Sequence, residues 1–71
     1  MYILPRIRQR RTEKGWTQVD VAEKMGIYQP QYSRYEAGED EMKIGTFVTL
    51  CQALEVSADY ILGFSDNPNV K

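Results

Sequence analysis

Between Thr17 and Gly38 two short apolar-periodic segments are separated by a single glycine, Gly26, and this punctuation confines the chain to short helices joined by tight turns. The first segment opens at Thr17, whose hydroxyl suits the orphan amides of a first helical turn. Asp20, three residues on, is its acidic capping-box partner and a complement to the helix dipole. Val21, Ala22 and Met25 form the apolar face. Gly26 sits one residue past the last apolar position, where a left-handed backbone costs a residue without Cβ nothing. The second segment sets Ile27, Tyr32 and Tyr35 on one face and ends at Gly38. Gln29, Gln31, Ser33 and Arg34 lie opposite.

Glutamine and arginine are the side chains that pair bidentately with adenine and guanine edges. A second helix with a buried back and this front is therefore a candidate groove reader, in the grammar of a helix-turn-helix. The same pattern fits a small helical hairpin whose polar outside is merely solvated, and composition alone does not separate the two.

Seventy-one residues make one domain, near the lower size limit for a core without staples, so the expectation is all-α, compact and joined by short turns. The single Cys51 excludes an intrachain disulfide framework, and the absence of histidine leaves no credible zinc or iron site and no expected cofactor. No apolar run reaches membrane-spanning length, and Met1 to Pro5 is too short for a signal peptide's apolar region. A soluble, cytoplasmic chain in a reducing compartment is expected, with no membrane partner and no small-molecule ligand.

The formal net charge of −1 opposes nucleic-acid binding, because phosphate neutralisation supplies most non-specific affinity. Its distribution softens the objection. Arg6, Arg8, Arg10, Arg11 and Lys14 stand against Glu13 alone in residues 1–14, whereas residues 39–71 carry two bases against six acids. One-sided charge fits a domain that docks by one face, although charged helix faces are commonly just solvated.

Along the whole chain the patterning gives five helices and no strands. The first spans Pro5 to Lys14, with Gly15 past its end, Ile3, Leu4 and Ile7 as apolar contributions, and Trp16 plugging the next corner. The fourth begins near Lys43 and carries Ile44, Phe47, Val48, Leu50, Cys51 and Leu54, an apolar surface broad enough for the central core helix. Ser57 caps a fifth helix containing Tyr60, Ile61 and Leu62 and stopped by Gly63. Residues 1–64 are read as the domain and 65–71 as a flexible tail. Cys51, Trp16, Tyr32 and Tyr35 read as core, and Val19 as either a harmless surface valine or part of a partner patch.

The stretch from Ile7 to Leu62 resembles the Cro/C1-type (Xre-like) helix-turn-helix family of bacterial and phage repressors. The residues that carry the likeness are Lys14-Gly15-Trp16-Thr17-Gln18, Val21 to Ile27, Ser33-Arg34-Tyr35-Glu36-Ala37-Gly38 and Ala53 to Tyr60. The resemblance implies a compact five-helix, lambda-repressor-like DNA-binding domain with helices 2 and 3 as the helix-turn-helix. It implies base reading by Gln29, Pro30, Ser33 and Arg34, and backbone contacts from Thr17, Gln18, Tyr28, Gln31 and Arg10. It also implies a partly buried ion pair between Arg10 and Glu36 that joins helix 1 to helix 3. Tyr28 stands where the family usually has serine or threonine, so a hydroxyl cap is lost there. Pro30 disfavours helical geometry at Gln29 and donates nothing, limiting its readout to apolar contact such as a thymine methyl. Glu39-Asp40-Glu41 falls where family members commonly present bases to phosphate, and its carboxylates repel DNA.

These features point to a sequence-specific transcriptional regulator, a repressor in the family pattern, acting as a two-fold dimer on a pseudo-palindromic operator. Its dimer surface is expected at the helix 4 to 5 corner with Tyr60, Ile61 and Phe64. With no sensory domain in sight, regulation is expected through abundance, competition or a partner protein. The rival is a repressor-like protein-interaction module, such as an antitoxin or a regulator-binding protein, favoured by the acidic triplet. An enzyme is not expected, for want of a nucleophile and base pair or a phosphate-cradling glycine loop.

Overall fold

The structure, a computed structural model, describes residues 3–69. Five helices follow one another: α1 (Ile3–Glu13), α2 (Gln18–Met25), α3 (Gln29–Ala37), α4 (Ile44–Leu54) and α5 (Ala58–Leu62). No strand occurs among the described residues. Met1 and Tyr2, in the amino-terminal segment too short for a signal peptide, and Val70 and Lys71, in the expected tail, lie outside them. No helix is long and apolar enough to cross a membrane among the described residues.

α1 starts two residues earlier than expected, at Ile3, and Pro5 falls inside its first turn. A proline is tolerated there because its missing N–H has no intrahelical acceptor anyway. α2 is fixed at both ends by its own sequence. The Asp20 N–H donates to the Thr17 hydroxyl at 3.1 Å, and the Thr17 N–H donates to the Asp20 carboxylate at 2.8 Å, completing the capping box. Gly26 ends the helix at φ 75°, and the Ile27 N–H reaches back to the Ala22 carbonyl at 3.0 Å.

α3 begins at Gln29 despite Pro30, because Tyr28 takes the extended N-cap conformation and the proline again falls in the first turn. Tyr28 makes no side-chain cap, as its phenol implied. Ser57 differs from expectation. It stands at the N-cap of α5 without a side-chain cap bond, while its backbone N–H donates to the Pro68 carbonyl at 2.9 Å. That bond, with the Arg6 guanidinium donating to the Ser65 carbonyl at 3.0 Å, links Ser65 and Pro68 to the helical body.

The core gathers Ile7 of α1, Val21 and Ala22 of α2, Tyr32 of α3, Phe47, Leu50, Cys51 and Leu54 of α4, Val56, and Tyr60 and Ile61 of α5. α4 is central, as the patterning predicts, but its apolar surface exceeds what it buries: Ile44 is 79% and Val48 48% exposed. Tyr35 and Trp16 are half-buried, not core, and Trp16 lies under the ammonium groups of Lys24 at 4.4 Å and Lys14 at 5.6 Å. Val19 is exposed. α2 packs against both α3 and α4, and α1 against α3, α4 and α5, so the α2–α3 pair is held from behind by the rest of the molecule.

Candidate nucleic-acid interface

Two hydrogen-bond networks fix α3, one behind it and one in front. Behind, Glu36 is buried and its carboxylate receives both Nε and Nη2 of Arg11, each at 2.9 Å, and the Tyr32 hydroxyl at 2.6 Å. Arg8 approaches the same carboxylate at 3.4 Å. The Gln18 amide, at the first position of α2, donates to Glu36 at 3.4 Å, and the Gln29 amide, at the first position of α3, donates to the Gln18 oxygen at 3.1 Å. A chain of donors therefore runs from α1 through Glu36 to the leading glutamines of both α2 and α3.

Gln29 keeps hydrogen-bonding capacity while being held. One hydrogen of its Nε2 goes to Gln18, leaving the second hydrogen and the Oε1 acceptor as a donor–acceptor pair of the kind adenine presents for bidentate pairing. Gln18 is likewise oriented by Glu36 without exhausting its amide. Thr17 accepts in the capping box, which leaves its own hydroxyl hydrogen to donate. Tyr28, at the N-cap of α3, is 86% exposed. Pro30 is exposed and Ser33 half-buried on the same helix.

In front, Arg34, Gln31 and Asp40 close a ring. Arg34 Nε donates to Asp40 at 2.9 Å, Gln31 Nε2 donates to the same carboxylate oxygen at 3.2 Å, and Arg34 Nη2 donates to Gln31 Oε1 at 3.2 Å. The sequence gives no rule for this pairing beyond the short distance in chain from Arg34 across Gly38 to Asp40.

The comparisons with known proteins now bear on this geometry. A family model described as helix-turn-helix matches residues 7–61, which takes in all five helices but the first turn of α1 and the last residue of α5. This chain belongs to the Cro/C1-type helix-turn-helix family. It is 39% identical over 66 residues to the uncharacterized HTH-type transcriptional regulator YobD of Bacillus subtilis (strain 168), a match covering 93% of this chain and 59% of that protein. To the uncharacterized HTH-type transcriptional regulator YqaE of the same organism it is 36% identical over 64 residues, 90% of this chain and 55% of that protein. To the antitoxin HipB of Escherichia coli (strain K12) it is 40% identical over 47 residues, 66% of this chain and 53% of that protein. The chain thus spans little more than half the length of these curated relatives.

Against the family pattern one expected pairing is corrected. Glu36 is paired not with Arg10 but with Arg11. Arg10 donates instead to the Glu55 carbonyl at 3.0 Å and lies 3.8 Å from Glu13. On a helix of 3.6 residues per turn, Arg10 and Arg11 follow Ile7 at three and four positions and both continue its buried face. α3 lies on the Arg11 side, so the pairing that the family resemblance implied for Arg10 is made by the next residue along α1. Arg10 is thus a structural brace between α1 and the end of α4.

The basic run of α1 is a set of fasteners. Arg6 donates to the Tyr60 carbonyl at 2.6 Å and stacks 4.2 Å from the Tyr60 ring, Arg11 holds Glu36, and Lys14 meets Glu55 at 2.7 Å. Burial pushes the Glu36 carboxyl up, but hydrogen bonds from Arg11 and Tyr32 and the Arg11 charge outweigh it and leave its pKa below the ordinary carboxylate value. Burial, and then the Glu36 carboxylate, push the Tyr32 phenol well up, so it stays a donor. Burial also raises the Cys51 thiol. Among the described residues no group of three or more His, Cys, Asp and Glu side chains is placed to hold a metal ion.

Proposed function

We propose that this chain is a sequence-specific DNA-binding transcriptional regulator, acting as a repressor in the cytoplasm, that inserts α3 into the major groove. The observation that carries the reading is the Gln29–Gln18–Glu36 chain, which holds two glutamines at adjacent helix starts with Gln29 still able to pair with adenine. Gln29, Pro30, Ser33 and Arg34 then read base edges, while Thr17, Gln18, Tyr28, Gln31 and the first-turn amides of α2 meet phosphate. It has no catalytic role in this reading.

A single module buries too little surface for high specificity, so the regulator binds as a two-fold dimer with half-sites about one helical turn apart. Tyr60 and Ile61, expected in the dimer surface, are buried within the protomer. The dimer surface therefore falls on the exposed apolar side chains Ile44 and Val48 of α4 with Leu62 at the end of α5 and Phe64 beyond it. Ile44 and Leu62 line one groove with Ile3, Leu4 and Phe47. Ile44→Lys combined with Val48→Lys is expected to yield a folded monomer in sedimentation equilibrium; an unchanged dimer mass refutes this surface.

The test of the main reading is fluorescence anisotropy with DNA flanking the protein's own gene against a scrambled duplex. Preference for the native fragment, abolished in the folded double variant Gln29→Ala, Arg34→Ala, supports the regulator. Equal weak binding to both duplexes refutes it and favours a second reading, a protein-interaction module, for which the likeness to the antitoxin HipB and the acidic Glu39-Asp40-Glu41 segment speak.

A further inference from the structure

The ring of Gln31, Arg34 and Asp40 is set by backbone as well as side chains. The Glu39 and Asp40 N–H groups both reach the Arg34 carbonyl, at 2.9 and 3.4 Å, so the turn after α3 folds back and delivers the Asp40 carboxylate beside the Arg34 guanidinium. Two of the five guanidinium hydrogens are used, Nε on Asp40 and one of Nη2 on Gln31. Nη1 keeps both hydrogens and Nη2 one, so one hydrogen from each nitrogen remains on the terminal edge that pairs with guanine O6 and N7.

We infer that Asp40 is a specificity-determining positioning residue: it holds Arg34 with its terminal edge toward a guanine and keeps that cation from serving as a phosphate contact. This rests on the DNA-binding reading above. An arginine pinned through Nε has lost the freedom to swing toward the backbone, and the Arg34–Asp40 pair carries no net charge with which to release counterions. The cost is weaker attraction to any DNA; the gain falls only on sequences with guanine at the matching position. Asp40 thereby explains how an acidic segment can lie beside the groove-reading helix and serve recognition. Gln31, donating to the same oxygen, completes the clamp. Because the pair is exposed, its removal leaves the fold intact.

The experiment is selection from a pool of random-sequence duplexes with wild type, Arg34→Ala, Asp40→Ala and Asp40→Asn, each checked for folding by circular dichroism, together with affinity for the unselected pool across a salt series. Wild type is expected to enrich a motif containing a guanine that Arg34→Ala no longer selects. Asp40→Ala is expected to flatten that guanine while leaving the rest of the motif. Its affinity for the unselected pool should rise on the order of threefold to tenfold at 0.1 M salt, with a log–log slope steeper by about 0.9, the signature of one added phosphate contact. Asp40→Asn keeps an acceptor for Arg34 without the charge, so it should retain the guanine yet bind the pool more tightly. Asp40→Ala selecting the same guanine as strongly as wild type overturns the inference and leaves the DNA-binding reading standing. Wild type enriching no motif overturns that reading itself, before any Asp40 variant is compared.

Discussion

At the scale of single residues, two backbone positions in the left-handed region behave oppositely. Gly38 closes α3 at φ +80°, and a Cβ there would lie 2.7 Å from Leu4 Cδ1. Leu4 Cδ1 is the far end of a flexible side chain and can yield, so most of the penalty for Gly38→Ala is the left-handed backbone. We expect a loss of about 1–2 kcal/mol in urea unfolding. Glu55 closes α4 at φ 53° with a Cβ already in place, the one non-glycine residue with positive φ among those described. Its side chain pairs with Lys14 at the surface, where such pairs contribute little, while Arg10 binds only its carbonyl. Glu55→Gly relieves the backbone and keeps the carbonyl, so the urea midpoint is expected to rise; a fall would mean the Lys14 pair outweighs the strain. Glycine endings were legible because the residue type itself announces them. Glu55 was not, since nothing in a glutamate marks a left-handed turn.

At the scale of elements, Glu36 joins three helices, and its ionisation is tied to stability. Removing the carboxylate leaves Arg11, largely buried, without its counter-charge, and Glu36→Ala is expected to cost about 3–5 kcal/mol. The pH dependence follows from the lowered folded pKa. The unfolded chain binds this proton more tightly than the folded one, so the contribution is complete above the ordinary value of 4.5 and is lost as pH falls through the lower folded value. The stability gap between wild type and Glu36→Gln should therefore be constant above about pH 5.5 and narrow below 4.5. A gap that stays level down to pH 3 would show that Glu36 is not titrating in this range. Element boundaries were legible where a cap writes them, as in Thr17 with Asp20 and Gly26. They were less so where proline fell in a first turn: Pro5 reads as the start of α1, which begins two residues earlier, and Pro30 reads as unfavourable to helix at Gln29 until its position within the turn is known. The choice between Arg10 and Arg11 lay beyond periodicity, since it is settled by the direction from which α3 packs.

For the whole molecule, the sequence invites the view of a basic first helix as a docking face, and the structure redistributes that charge. Arg6, Arg10 and Arg11 are turned to α5, the Glu55 carbonyl and Glu36 as braces, and Lys14 pairs with Glu55 at the surface. Asp40 occupies Arg34, and Lys24 lies over Trp16. What faces outward around the starts of α2 and α3 is neutral: the hydroxyl of Thr17, the amides of Gln18 and Gln29, the phenol of Tyr28. Neutral donors bind phosphate by hydrogen bonds without releasing condensed counterions in proportion to formal charge. A regulator built this way should depend on base contacts more than on charge. With the exposed Arg8 and Lys43 as the two cations per protomer left for phosphate among the described residues, the slope of log affinity against log salt for the proposed dimer on DNA is expected near −4. A slope near −8 or steeper would mean that the α1 arginines leave their internal partners on binding, and the Glu36 network would then open in the complex. The two cases separate in one further measurement: with the braces kept, the charge-removing Arg11→Gln changes stability and leaves the slope unchanged, whereas with the braces released it changes both.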